Sequence, residues 1–186
     1  MSVLSIVEWP AKVLEQKSST VNQFDDELRL FVRDMHETME AAKGVGLAAN
    51  QVGVAKRIIT IRIPYEENNY SDQEGETKQP WHDVSYTIIN PVIKKKSGKI
   101  RWQEGCLSFP EIFDFVDRAA EVWVEAQDEY GKTFELHGTE LMSVCLQHEI
   151  DHIDGVVFFN RMSRLKAGMI KKKMLRRGQM NSEGHS

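Results

Sequence analysis

"CLQHEIDHIDG", residues 145–155, sets two histidines four apart with a glutamate between them, inside a stretch whose apolar residues recur at helical spacing. On a helix, positions i and i+4 share one face. His148 and His152 can therefore grip one metal ion, with Glu149 as a base beside it. A catalytic site of this kind needs three protein ligands and keeps one position open. Downstream the chain supplies no third. Phe158 stands where the extended H-E-x-x-H-x-x-G-x-x-H pattern would place a histidine, Asp154 is one turn too tight, and Glu183 lies in the tail. The missing ligand must lie upstream.

Cys145 shares a helical face with both histidines, but a rise of about 1.5 Å per residue separates it from His152 by about 10 Å along the axis. Its short side chain also points back toward the helix N-terminus, away from a metal held between residues 148 and 152. Cys145 reads as an apolar wall residue. His36 sits on a helix whose apolar face is already accounted for, His82 falls in a polar loop, and His137 stands at a strand end without supporting neighbours. Cys106 in "QEGCLSFP" remains. Glycine before it and proline after it mark a shaped backbone segment, and a thiolate there completes a His₂Cys set with an open position.

Outward from this helix the chain reads as one domain of 186 residues, long enough to bury a core. Charged residues at 28% and apolar ones at 41% are those of a soluble globule, and the net charge of −4 argues against a general nucleic-acid binder. Two cysteines give no disulfide framework, which fits a reducing cytosol. The N-terminal "MSVLSIVEWPAKVLEQKS" has no basic n-region, and Glu8 and Pro10 interrupt its apolar run, so neither a signal peptide nor a membrane span is expected.

Residues 25–42 place Leu28, Phe31, Val32, Met35 and Met39 at helical spacing, with Gly44 as a stop. Residues 57–63 and 86–93 read as strands, the second carrying Pro91 at an edge or bulge. The polar segment between them, residues 64–85, reads as a long mobile loop. "AEVWVEAQD" (120–128) alternates cleanly and "GKTFELHG" follows, which predicts a hairpin. Thr139 then caps the helix that Gly155 ends. A basic helix covers residues 164–178, and 179–186 form a disordered tail. Strands in the middle and helices at both ends predict an α+β fold. In it, antiparallel or mixed strands pack around the central helix carrying the metal motif, with a C-terminal helix.

"KGVGLAANQVG" (43–53) contains Gly44-x-Gly46-x-x-Ala49, a relaxed dinucleotide fingerprint. That motif needs a strand before it and a helix after it. Here a helix precedes and a strand follows, so the nucleotide reading fails. The glycines then serve close backbone approach to a ligand, and Gln51 becomes a placed amide able to donate to a developing oxyanion.

Three segments now stand in order: "GVGLAANQ" at 44–51, "EGCLS" at 104–108 and "HEIDH" at 148–152. Together they resemble the signature motifs of the peptide deformylases, a likeness spanning about residues 1–175. The resemblance implies residues 1–163 as the catalytic domain and one divalent metal held by Cys106, His148 and His152. Ferrous iron is the family's typical metal, and zinc, nickel or cobalt can occupy the site. It further implies Glu149 as the proton shuttle, an oxyanion site from the Gln51 side chain and the Leu107 backbone N–H, and Gly46 offering its backbone to the peptide. The expected reaction is hydrolysis of the formyl group from N-formyl-methionyl nascent peptides in the cytoplasm, with release of formate. Phe113 stands where some relatives carry an arginine.

Leu141, Val144 and Cys145 lie on the His148 face; with Val45 and Trp102 they are candidates for an apolar slot suited to methionine. Glu104, Asp151 and Arg118 are candidates for orienting the histidines. Residues 161–177 hold eight Lys/Arg and no acid, which suggests docking on the ribosome through a basic helix, against the alternative of a solvated face. The competing functions are a general metallopeptidase or amidase and a metal-stabilised binding module. The base Glu149 speaks against the second, because a purely structural site needs none.

Overall fold

The computed structural model describes residues 2–65 and 82–183. Strand β2 (Ile58–Tyr65) shows how the molecule is layered. Successive side chains of a strand point to opposite faces. Ile59 and Ile61 thus join one apolar cluster, while Ile58 joins another and Thr60 turns toward Met39. A helix covers each face. Helix α1 (Asp26–Ala41) brings Val32, Met35 and Met39 against Leu47, Ile58 and Ile89. Helix α2 (Glu140–Ile153) brings Cys145, Leu146, Ile150 and Ile153 against Ile59, Ile61, Ile88, Val122 and Val124.

The sheet between them is antiparallel throughout, in the order β1-β2-β3-β6-β7. Its other members are β1 (Gly46–Ala48), β3 (His82–Ser97), β6 (Glu121–Gln127) and β7 (Thr133–Thr139). Strand β1 is an edge, only three residues long. Between β3 and β6 the chain makes a separate hairpin, β4 (Ile100–Cys106) with β5 (Phe109–Arg118). A third apolar cluster ties this hairpin to helix α3 (Arg164–Glu183): Phe109, Ile112 and Val116 meet Phe158, Phe159, Leu14 and Met174. Each fully buried side chain of this size contributes about 1.5–3 kcal/mol.

The α+β class, the hairpin β6–β7 and the central helix appear as expected. Asp25 starts α1 by accepting from the Leu28 N–H at 3.0 Å, a cap whose removal typically costs about 1 kcal/mol. Several local expectations need correction. Helix α1 ends at Ala41, three residues before the expected stop at Gly44, and Lys43, at φ 55°, makes the left-handed turn. Thr139 occupies the N-cap of α2 without a side-chain bond. The expected loop 64–85 is shorter at both ends, because β2 continues to Tyr65 and β3 begins at His82. Its remainder, 66–81, lies outside the described residues. Pro91 does lie at a bulge, the second of the two places expected for it: pairing slips between Ile89 and Val92 within a central strand. Helix α3 runs on to Glu183, into the expected tail; residues 184–186 lie outside the described residues.

Candidate metal centre

Helix α2 is buried on every side from Ser143 to Ile153, so its polar residues must find partners inside the protein. His148 and His152, one turn apart, bring their Nε2 atoms to 3.2 Å, with ring centroids 4.9 Å apart. Cys106 Sγ lies 3.2 Å from His152 Nε2. The three donor atoms all fall within 4.8 Å of one another, a grouping that can hold a metal ion. Donor chemistry agrees, since one thiolate and two imidazoles suit iron or zinc.

Cys106 reaches this position through an irregular hairpin. Pairing jumps from Gly105↔Phe113 to Cys106↔Phe109, so residues 110–112 are displaced from the ladder, with Glu111 at φ 62°. Leu107 and Ser108 make the tight connection. Gly105 lets the Phe113 ring lie against the backbone: an added Cβ would lie 2.5 Å from it and push the ring aside. Cys145 is buried in the core cluster, its Sγ 3.5 Å from the Val45 carbonyl, and burial pushes its thiol pKa up.

The histidines are oriented by charged neighbours. His148 Nδ1 lies 2.7 Å from Glu104 Oε2. Arg118 grips the same carboxylate with two bonds, Nε to Oε1 at 2.7 Å and Nη2 to Oε2 at 2.9 Å. Burial alone would raise the Glu104 pKa; Arg118 and His148 outweigh it and hold the group at about 2. Burial also disfavours charge on His148, but contacts with Cys106 and Glu104 prevail and its pKa rises. His152 is pushed down by burial and by its neighbour His148. Asn50 holds the other end of the helix, its Nδ2 donating to the His152 carbonyl at 2.5 Å.

Glu149 is 4% exposed, and its Oε2 has no hydrogen-bond partner among the described residues. Burial pushes its pKa up to about 7, where a carboxylate can both take and release a proton near neutral pH. Gly46 passes so close that a Cβ there would lie 2.4 Å from Glu149 Oε1 and 2.8 Å from Cys145 Sγ. Gln51 lies in the short 3-10 turn Ala49–Val52 that directly follows β1. Its Oε1 accepts from the Ala48 N–H at 2.8 Å, which turns the NH₂ end inward, 3.5 Å from Cys106 Sγ and 3.3 Å from Ser108 Oγ. Leu107 directly follows Cys106, and its side chain would meet a Cβ on Gly44 at 2.9 Å. These contacts bring the three sequence segments into one place.

The apolar slot is drawn together less completely. Val45 and Cys145 touch, Val144 is buried and Leu141 half-buried on α2, and Trp102 is half-buried on β4 opposite Val116. His36 bonds Thr87 and His137 stacks on Trp123 at 4.3 Å, both on other elements. Sequence reasoning missed Arg161, whose guanidinium clamps Asp151 beside the histidines. Its place in a run of basic residues masked it.

Comparison with known proteins bears on this geometry. The polypeptide deformylase family profile matches residues 3–168. A peptide deformylase of Acidobacterium capsulatum is 42% identical over 96% of this chain and 99% of its own length. One from Neisseria gonorrhoeae is 40% identical over 95% and 97%. Among solved structures, peptide deformylase from Ehrlichia chaffeensis in complex with actinonin is similar at a TM-score of 0.82, with 40% identity, covering 95% of this chain and 98% of that one. The Legionella pneumophila enzyme superposes at 0.80 with 36% identity over 97% and 98%. The chain belongs to the polypeptide deformylase family, metal-dependent hydrolases that remove the N-formyl group from nascent peptides.

Proposed function

We propose that Cys106, His148 and His152 hold one divalent metal, Fe²⁺ in the cell, and that the chain deformylates N-formyl-methionyl peptides there. The observation that carries this reading is the convergence of a thiol and two imidazoles from separate elements beside a buried carboxylate without a partner on one oxygen. When bound, the metal lowers the pKa of a coordinated water toward 7 and polarises the formyl carbonyl. Glu149 takes the proton from the attacking water and passes it to the leaving amine. The Gln51 NH₂ and the Leu107 N–H donate to the oxyanion that develops on the formyl oxygen. Gly46 admits the peptide backbone close to Glu149, since it has no side chain to hold it off. Val45, Trp102, Leu141, Val144 and Cys145 line the slot for the methionine side chain. The test is formate release from formyl-Met-Ala-Ser by protein reconstituted anaerobically with Fe²⁺ or Ni²⁺. Formate is expected with either metal; its absence with both overturns the reading.

No helix among the described residues is long and apolar enough to cross a membrane. We place the enzyme in the cytoplasm, where its basic helix docks on the ribosome as formylated chains emerge. Much of the basic run is occupied within the protein: Arg161 pairs with Asp151, Lys166 with Asp114 and Arg177 with Glu111. Lys171 lies over the Phe159 ring. The docking face is therefore the exposed stripe Leu165, Met169, Lys172 and Arg176, spaced to lie along one side of α3. Lys172→Glu with Arg176→Glu should reduce ribosome co-sedimentation and spare activity on free peptides. Unchanged co-sedimentation rejects docking through this face.

A further inference from the structure

The carboxylate that orients His148 is itself the middle of a longer ladder. Arg118 holds Glu104 with Nε and Nη2, and its remaining Nη1 reaches Asp151 Oδ2 at 2.5 Å. Asp151 lies on α2 between the two histidines. Its Oδ2 also accepts from Arg161 Nε at 2.9 Å, while Arg161 Nη2 occupies Oδ1. Two forked guanidinium–carboxylate pairs thus stand in series, Arg161 on Asp151 and Arg118 on Glu104, joined by the single Arg118–Asp151 bond. Paired forks of this kind fix geometry as well as charge.

We infer that Arg161 is a positioning residue for His148, acting through Asp151, Arg118 and Glu104. The inference rests on the proposed metal reading of the site. The ladder holds two anions and two cations and is balanced. Removing Arg161 leaves the largely buried Asp151 carboxylate with Arg118 as its one guanidinium partner. Arg118 cannot present a fork to both carboxylates at once, so it is drawn toward Asp151 and its grip on Glu104 loosens. Glu104 then holds the His148 ring less firmly, and the metal site loses part of its preorganisation. Arg161 itself is nearly half exposed, at 44% of its side chain, so its truncation opens no core cavity. It lies on the short 3-10 turn Phe158–Arg161 just before α3, outside the three signature segments.

The test is a double-mutant cycle of Arg161→Ala and Glu104→Gln, read as the Ni²⁺ dissociation constant by chelator competition. Melting of the metal-free proteins shows that each variant folds. Loss of a direct outer partner typically weakens metal binding about 10–100-fold, and Glu104→Gln should fall in that range. Arg161→Ala, two carboxylates away, should weaken Ni²⁺ binding about 3–10-fold, a fraction of that direct effect. Its effect should shrink to less than about twofold in the Glu104→Gln background, because the route to His148 is already cut. An equal weakening in both backgrounds, or none in the wild-type background, overturns the inference while leaving the metal site intact. Failure of the wild type itself to retain Ni²⁺ overturns the metal reading, and this inference with it.

Discussion

At the scale of single residues, helix α2 sets the two proposed histidine ligands apart from the proposed base by position. Glu149 follows a histidine directly, yet its carboxylate is outside the thiol–imidazole grouping and lies against Gly46. Glu149→Ala should therefore keep the metal and lower kcat by about 10²–10⁴-fold, as loss of general acid–base catalysis does. Metal analysis beside kinetics checks it, and metal loss in the variant would make Glu149 a ligand. The two cysteines make a sharper pair. Cys106→Ser should lose the metal and formate release together, because a serine hydroxyl is a poor ligand at neutral pH. Cys145→Ser should retain the metal, at a cost of about 1–3 kcal/mol in stability from placing a hydroxyl in an apolar wall. Metal loss from the Cys145 variant alone would reverse the assignment.

At the scale of elements, the site is a meeting of edge strand, hairpin and helix. Gly46 in β1 is the tightest joint. A methyl group there would meet Glu149 Oε1 at 2.4 Å, and the far end of the glutamate is what can yield. Gly46→Ala should cut kcat by about 10²-fold with metal content unchanged, the scale of loss expected when a catalytic group is misplaced by about 1 Å. A wild-type rate in Gly46→Ala would show that the contact relaxes without moving the carboxylate. The helix that carries both histidines was legible because its signal is local, four residues along one chain. Strand β1 was not, since three residues are too few to show alternation. The β4–β5 hairpin was hidden by its outer face, where Phe113 and Phe115 are exposed and break the pattern of apolar inside and polar outside. The connection Leu107–Ser108 also lacks the Asn-Gly or Asp-Gly signature of two-residue hairpin turns. Glu104, Arg118 and Asp151 could be named as candidates, but side-chain packing within the hairpin and against helix α2 joins residues 14 and 33 positions apart, and such contacts are not written locally.

At the scale of the whole molecule, the buried charges make stability depend on acid. Glu104 has its folded-state pKa depressed to about 2 from an ordinary 4.5. Its ionised form therefore stabilises the fold fully above pH 4.5, and that contribution disappears as pH falls from 4.5 through about 2. The contribution is on the order of 3 kcal/mol. In metal-free protein, the denaturation gap between wild type and Glu104→Gln should close over that window. A gap independent of pH between 5 and 2, on the order of the full difference, would mean Glu104 is not the titrating group. Helix α3 adds a dimension that static contacts conceal, namely time. Cys106, His148 and His152 all precede it in the chain, while Met174, Lys166 and Arg177, which seal the hairpin, belong to it. A ribosome adding about 5–20 residues per second reaches Arg177 about 1–5 s after His152. For those seconds Cys106, His148 and His152 exist without the helix that braces the Cys106 hairpin. Until α3 is made, the hairpin carrying Cys106 has no Met174, Lys166 or Arg177 to pack against, so its bracing is the last part of the fold to arrive.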